Sequence, residues 1–392
     1  MTEPSPRSAA GTQIRLAASA ADRETVYRFR YDLYVDGMRK QVPGADHAGR
    51  RLVEPLDTTG RIYLAETDHV AIATLRVNWS GDFTAEAPLP AGLVGLLGLE
   101  PFLDRWPAGL SLTSRLMVTP DRRGSVLLNR LLAAAYQDAL TAGIEFDFCY
   151  VPPYLVEMYL QLGYRTYKPS VTDPHVGYLI PLVLPLRDWA SLRTIGSPML
   201  RLAERAGFDT ATPSQAVAWF HDRIETEGGP SGARWREPAD WERLAQGLQA
   251  GADAAPSLLT GLDSDDLGRL LRSQVVLRCP AGERLVQRGD ARDEMFLVLH
   301  GQLVVRLEAD AGPLATLGPG QVFGEMGMLT RTARSAFVDV AEDAEILIIT
   351  RQALDRLIKV EPALAARLLF NLSCVLSARL MAANDRLRAD DA

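Results

Sequence analysis

Apolar residues recur with period two in several short runs and with a period near 3.6 in several longer ones, and over the first half of the chain the two kinds interleave. Residues 13–17 alternate and predict a first strand. Ala21-Asp22-Arg23-Glu24 then reads as a helix entry with acidic residues in its first turn, and the helix continues through Val26, Tyr27, Phe29, Arg30, Leu33 and Tyr34. A polar, Gly-containing loop is expected over 36–51, followed by strands at 61–66 and 71–77 around the turn Asp68-His69. Gly and Pro punctuate 79–107, leaving room for one short apolar helix near 93–99. A strand at 111–118 and a turn at Thr119-Pro120-Asp121 lead into a long helix over 125–142, which carries Leu127, Leu128, Leu131, Leu132, Ala135 and Tyr136 at helical spacing and is closed by Gly143. A strand at 146–151, a helix at 154–162 ending at Gly163, and a strand from Tyr164 follow. Strands and helices in this order predict an α/β or α+β domain.

The pattern changes after residue 200. Helix-like segments at 215–227 and 241–248 flank a Gly-Pro-Ser-Gly stretch, which reads as a helical connector over 201–255, with Trp219, Trp235 and Trp241 expected to pack against a neighbouring domain. Leu258-Leu259-Thr260-Gly261-Leu262 opens a helical lead-in to a strand-rich region whose last strand is expected at 344–349, and helices at 351–359 and 362–388 follow it. The expected organisation is a disordered tail (1–12), an α+β domain (13–200), the connector, and a second domain (256–392). A chain of 392 residues, 47% hydrophobic, has enough apolar surface for two cores.

A net charge of -7 argues against a nucleic-acid-binding surface. The three cysteines, Cys149, Cys279 and Cys374, have no metal-ligand spacing and the five histidines are scattered, so no metal is expected and a reducing cytoplasm is the natural compartment. The first eleven residues lack the apolar core of a signal peptide, and the run 178–186 holds two prolines and is too short to span a bilayer, so no transmembrane segment is expected.

The stretch Phe323-Gly324-Glu325-Met326-Gly327, followed by Arg334-Ser335-Ala336, places a carboxylate at the start of a short helix with an arginine and a hydroxyl downstream. Such a turn suits a small anion that also offers hydroxyl groups, and a cyclic nucleotide fits. Gly324 admits a close backbone approach, helix-start N–H groups and Arg334 face the ring phosphate, Ser335 donates a hydrogen bond, and Glu325, which a phosphate would repel, meets a ribose hydroxyl. Together with Gly282, Gly289-Asp290, Glu294-Met295-Phe296 and Gly301, the stretch resembles the phosphate-binding cassette of the cyclic-nucleotide-binding domain family, in the Arg-Ser-Ala order of its bacterial catabolite-activator branch. The resemblance implies a jelly roll over roughly the last third of the chain and cAMP as allosteric ligand, with cGMP as the other choice. No helix-turn-helix pattern follows it, which sets the chain apart from the transcription factors that share this sensor.

Upstream, Val118-Thr119-Pro120, the pair Arg122-Arg123 with Gly124, the long helix, the next strand, and Met158-Tyr159-Leu160-Gln161-Leu162-Gly163-Tyr164 resemble the GNAT acyltransferases. In that family the strand before the long helix splays from its neighbour and the pantetheine arm of an acyl thioester lies in the gap. The later glycines of the family's pyrophosphate loop are missing here, which favours acyl carrier protein over acyl-CoA as donor. Arg28-Phe29-Arg30-Tyr31, Glu54 with Asp57, Arg76 and Ser114-Arg115 resemble the N-acyl amino acid synthase and acyl-homoserine-lactone synthase branch. Leu112 stands where the lactone synthases carry a glutamate, which argues against the homoserine lactone product. The resemblance implies an oxyanion-binding backbone N–H near Met117 or Val118 and a Tyr159 close to the leaving sulfur. It also implies Glu54 and Asp57 on the substrate ammonium, and Arg30, Arg76 and Arg115 on a substrate carboxylate or the donor.

The expected activity is therefore cyclic-nucleotide-regulated N-acyl transfer from acyl carrier protein or acyl-CoA to an amino-acid-like amine. The alternatives are an acetyl-CoA-dependent protein lysine acetyltransferase, known in actinobacterial proteins that place the sensor first, and a non-catalytic signalling adaptor. A homodimer through the last helix is a further expectation, carried by the stripe Leu368, Leu372, Val375, Leu376 and Leu380.

Overall fold

The computed structural model describes residues 11–37, 42, 44–122, 126–168, 170–173, 177–228, 242, 256–272, 274–290, 294–309 and 311–390. They divide into two compact units, one within 1–150, 161–165 and 182–223, the other within 151–160, 166–181 and 224–392. The division thus interleaves the chain and does not cut it once.

The first unit is built on an antiparallel start. Strand β1 (Gln13–Leu16) pairs with β2 (Arg61–Thr67), which forms a hairpin with β3 (Val70–Trp79). The hairpin turns on two residues, Asp68 and His69, with φ of 53° and 61°, the left-handed pair that matches the twist of the strands. Helix α1 (Ala20–Tyr31) starts at a capping box between Ser19 and Asp22 and buries Val26, Phe29, Arg30 and Tyr31. After the short helices α2 (Ala91–Leu97) and α3 (Glu100–Leu103), β4 (Leu110–Val118) pairs antiparallel with β3. Helix α4 (Leu127–Thr141) lays Leu131, Leu132, Ala135, Tyr136 and Ala139 into the core, and Gly143, at φ 78°, ends it. It leads to β5 (Phe146–Val151), after which the chain runs through helix α5 (Pro153–Leu162), β6 (Arg165–Thr166), β7 (Val171–Asp173) and β8 (Gly177–Pro185), of which residues 151–160 and 166–181 belong to the second unit. The apolar run with two prolines is therefore a strand. Within the first unit the strands lie in the order β1-β2-β3-β4-β5. Helices α6 (Trp189–Thr194), α7 (Pro198–Arg205) and α8 (Gln215–Gly228) follow. Trp219 packs edge-on against Phe102, Trp106 and Phe146, as expected of it. Trp235 and Trp241, and the helix expected at 241–248 apart from residue 242, lie outside the described residues.

In the second unit, helix α9 (Ser264–Arg272) precedes β9 (Val275–Cys279), β10 (Arg284–Val286), β11 (Glu294–Arg306), β12 (Ala315–Leu317), β13 (Val322–Phe323), the short helix α10 (Glu325–Thr330) and β14 (Phe337–Thr350). The long β11 and β14 run antiparallel through several register irregularities, with β9 and β10 on β14 and β12 and β13 on β11. Gly301 sits at one such irregularity with φ 83°, and a Cβ there would lie 2.3 Å from the Asp343 carbonyl oxygen.

Helices α11 (Arg351–Val360) and α12 (Pro362–Asp390) close the unit. On α12, Leu364, Ala365, Leu368, Leu372 and Val375 enter the core with Leu258, Leu297, Met328 and Leu347, and Leu376 packs at its edge. Leu380, expected to continue that stripe, is instead exposed, as are Phe370 and Met381. The segment Pro362–Asp385 has the length and composition to cross a membrane, with a mean hydropathy of 1.4, and a third of its apolar window is buried inside the protein.

Candidate functional site

Two clusters of charged side chains stand out, one in each unit. In the first, Arg30 is fully buried on α1 and its Nη1 donates to Asp57 Oδ1 at 2.8 Å. Asp57 ends a single turn, Pro55–Asp57, and its other oxygen accepts the Glu54 backbone N–H. Arg76 on β3 donates to Asp57 Oδ1 at 3.0 Å, to Glu54 Oε2 at 2.8 Å and to Ser114 Oγ at 3.1 Å. Arg115 on β4 grips both oxygens of Glu54, its Nε donating at 2.7 Å, and lies over the Tyr34 ring. Exposure rises along this chain of contacts, from 0% at the Arg30 side chain to 21% at Glu54 and 24% at Arg115. The Arg30–Asp57 end is thus a buried anchor, and the Glu54–Arg115 end faces outward.

The backbone at Arg115 is itself unusual. Thr74 pairs with Met117, but Arg76 pairs with Ser114, so β4 carries one extra residue between them. Arg115 takes up that bulge with φ 51°, a left-handed conformation that costs a non-glycine residue about 1–2 kcal/mol. Among the described residues the pairing of β4 with β5 runs over Leu110–Leu112 against Phe146–Phe148, although both strands run on, to Val118 and Val151. Beyond Leu112 the two strands therefore part.

Electrostatics fixes the protonation of this cluster. Burial raises the Glu54 carboxyl, but the Arg115 hydrogen bonds and the charges of Arg115 and Arg76 outweigh it and hold the group at about 2. Glu54 is accordingly a permanent carboxylate and a weak proton acceptor. Burial lowers Arg30, against the pull of Asp57, and its Nε and Nη2 are buried without a hydrogen-bond partner among the described residues. Three guanidinium groups against two carboxylates leave the cluster one positive charge in excess.

In the second unit, Gly324 adopts φ 78° at the start of α10, and a Cβ there would meet Arg334 Nη1 at 2.6 Å, so only glycine fits. Arg334 donates from Nη1 to the Gly324 carbonyl at 2.8 Å and from Nη2 to the Glu294 carbonyl at 2.7 Å. It also pairs with the Glu294 carboxylate at 3.0 Å, with both side chains 4% exposed. Its backbone is held by Gly289 and Asp290. Glu325 is buried and pairs at 3.0 Å with Arg379 of α12, which also donates to the Val322 carbonyl. Phe323 stacks on Phe296, with ring centroids 4.9 Å apart. Gly327 is buried, Met326 and Ser335 are exposed and Ala336 is half-buried.

The structure thus gathers Arg30, Glu54, Asp57, Arg76, Ser114 and Arg115 into one network, and Gly324, Glu325 and Arg334 into another. Met117 and Val118 pair with Thr74 and Ala73 on the β3 side of β4. Arg122 is exposed beside Asp121, while Arg123 and Gly124 lie outside the described residues. Tyr159 is buried on α5 and belongs to the second unit. Among the described residues no group of His, Cys, Asp and Glu is arranged to hold a metal. Sequence reasoning assigned no site role to Glu294 or Arg379, which lie 40 and 54 residues from their partners.

Comparison with known proteins places residues 276–361 in the family described as cyclic nucleotide-binding domain. The Cyclic AMP receptor protein of Thermus thermophilus is 34% identical over 108 residues, 27% of this chain and 48% of that protein. Glutaminase 2 of Bradyrhizobium diazoefficiens is 31% identical over 199 residues, 51% of this chain but 29% of its own length. The chain therefore spans less than half the length of either relative. Among solved structures, the Thermus thermophilus catabolite activator protein is 30% identical, with 34% of this chain and 62% of that chain covered and a TM-score of 0.31. Residues 276–361 thus match a cyclic nucleotide-binding domain, within a protein of mixed α and β structure.

Proposed function

We propose that the chain is a cyclic-nucleotide-regulated N-acyltransferase of GNAT-like fold, acting in the cytoplasm, that moves an acyl group from the thioester of acyl carrier protein or coenzyme A to an amino-acid-like amine. The observation that carries this reading is the left-handed bulge at Arg115 beside the point where β4 and β5 part, because the gap gives an extended thioester arm a place to lie between two strands. In the reaction the amine attacks the thioester carbonyl carbon, a C–N bond forms, the C–S bond breaks, and the amine proton is lost while the thiolate gains one. Past Leu112, the edge of β4 outside the β5 ladder offers backbone N–H groups around Met117 and Val118 to the developing oxyanion. With its carboxyl at about 2, Glu54 serves to bind an ammonium and to aim Arg115, not to take up the proton. The excess positive charge of the cluster, whose outward end is Arg115, favours an acceptor that carries a carboxylate. Arg122, exposed just after β4, is placed for a donor phosphate. The regulator is cAMP or cGMP, with cAMP favoured by the kinship to a cyclic AMP receptor protein.

The test is thiol release from acyl carrier protein and acyl-CoA donors with amino acids as acceptors, with and without cAMP. Arg115→Lys keeps the charge but loses the two-pronged grip on Glu54, and is expected to lower kcat/KM by about 10–100-fold. Turnover only with acetyl-CoA and protein lysine would make the chain a protein acetyltransferase. Silence with every thioester would leave a cyclic-nucleotide-responsive adaptor.

A further inference from the structure

A second polar cluster lies in the first unit, and the reaction outlined above leaves it unused. Asp147 on β5 is buried, and three hydroxyls converge on its carboxyl: Ser111 and Thr113 from β4 on Oδ1, the latter at 2.9 Å, and Tyr164 on Oδ2. Burial pushes this carboxyl up, and the three hydroxyls oppose the shift. A cavity of about 20 Å³ opens beside the group, with otherwise apolar walls that include Leu132, Ala135, Leu184 and Met199. The volume suits one group about the size of a water molecule.

Its position gives the cluster a meaning. Ser111 pairs with Asp147 in the short ladder between β4 and β5, and Thr113 is the first alternate residue past the end of that ladder. Strand alternation puts Ser111 and Thr113 on the opposite face of β4 from Ser114, which bonds Arg76. The cluster therefore stands at the mouth of the same parting of strands, but on the α4 side of the sheet. A wholly apolar wall would serve a plain hydrocarbon chain better, because a buried carboxyl with three hydroxyls is costly to desolvate. We propose that Ser111, Thr113, Asp147 and Tyr164 form a specificity subsite that reads a hydroxyl group on a short acyl chain, so that the donor is a hydroxyacyl thioester. This rests on the acyltransferase reading. A chain lacking the hydroxyl would leave the polar cluster facing a methylene, and such a mismatch is penalised more heavily than a lost methyl contact.

Binding tests the subsite apart from catalysis. Non-hydrolysable thioether analogues of butyryl-pantetheine, plain or hydroxylated at C2, C3 or C4, would be titrated into the full chain by calorimetry. At least one hydroxylated isomer is expected to bind about tenfold more tightly than the plain analogue, and Thr113→Val is expected to reduce that ratio below about threefold. Asp147→Asn, which keeps the shape, should also reduce it. Equal binding of all the analogues, or a ratio that survives both substitutions, overturns the subsite while the acyltransferase reading stands. Failure of every analogue to bind removes both.

Discussion

Arg334 should have two separable jobs, and truncating it should expose both. Its guanidinium is buried against the Glu294 carboxylate at 3.0 Å and caps the carbonyls of Gly324 and Glu294. Among the described residues Glu294 Oε2 already lacks a partner, so Arg334→Ala would leave a buried carboxylate with no described cation beside it. Breaking a buried pair on one side costs about 3–5 kcal/mol, whereas removing both charges together is often nearly neutral. The second job is ligation of the nucleotide phosphate. A nucleotide at 100 times its Kd adds about 2.7 kcal/mol to the stability of a protein that binds it only when folded. Urea unfolding with and without saturating cAMP separates the two. Arg334→Ala is expected to lose about 3–5 kcal/mol without ligand and to show no cAMP-dependent shift. Adding Glu294→Leu should restore most of the stability and none of the shift. A double variant no more stable than the single one would refute the stranded-charge argument, and a cAMP shift that survives Arg334→Ala would refute the phosphate assignment.

Two further outcomes follow from burial. Burial pushes the Glu283 carboxyl up to about 7, against a Tyr178 hydrogen bond, and its Oε2 is unpartnered. Between its unfolded pKa of about 4.5 and about 7 the folded state keeps a proton that the unfolded chain has lost, so stability is full below the lower value and falls as pH rises through the upper one. Because the group is only partly buried, wild type should lose about 1–2 kcal/mol relative to Glu283→Gln between pH 5 and 8 in urea titrations, and parallel pH profiles would count against it. Burial likewise pushes Cys279 up to about 12 and Cys149 well above the usual thiol range, while Cys374 is partly exposed. Iodoacetamide at pH 8 should therefore label Cys374 in the native protein and the other two only after denaturation, as read by mass spectrometry; native labelling of Cys279 as fast as Cys374 would show that its pocket opens.

Much of the fold was legible because its signals are local. Period-two and period-3.6 runs located β2, β3, β4, α4 and β5 to within two residues, and Asp68-His69 marked the hairpin turn. The cassette was legible because Gly324, Glu325 and Arg334 lie within eleven residues and each has a distinct chemical reason to be there. What the sequence hid was partnership at long range. Glu294 enters the resemblance only as part of Glu294-Met295-Phe296, with no partner assigned, and Arg379 carries no role until the fold sets them against Arg334 and Glu325. Ser111, Thr113 and Asp147 sit in apolar strands where a lone polar residue passes for a tolerated core group, and only pairing of β4 with β5 brings them together. The bulge at Arg115 leaves no mark in composition either, because arginine is a poor choice for a left-handed residue and the sheet imposes it.

The second unit also shows why its ligand can act as a signal. Neither charge that a cyclic nucleotide needs is idle: Arg334 is matched by Glu294, and Glu325 by Arg379. Under the proposed function binding would be an exchange of partners, with phosphate competing with a carboxylate for one guanidinium and ribose competing with a guanidinium for one carboxylate. The affinity would then be the difference between two sets of bonds, and the same difference would be the free energy available to move whatever the displaced partners hold. Arg379 is carried by α12, whose earlier turns are core residues, so releasing it changes what fixes the exposed end of that helix beyond Val375. A coupling of about 1–3 kcal/mol needs no more than the gain or loss of such a charge-assisted contact. A pocket with preformed, unpaired charges would bind more tightly and report less.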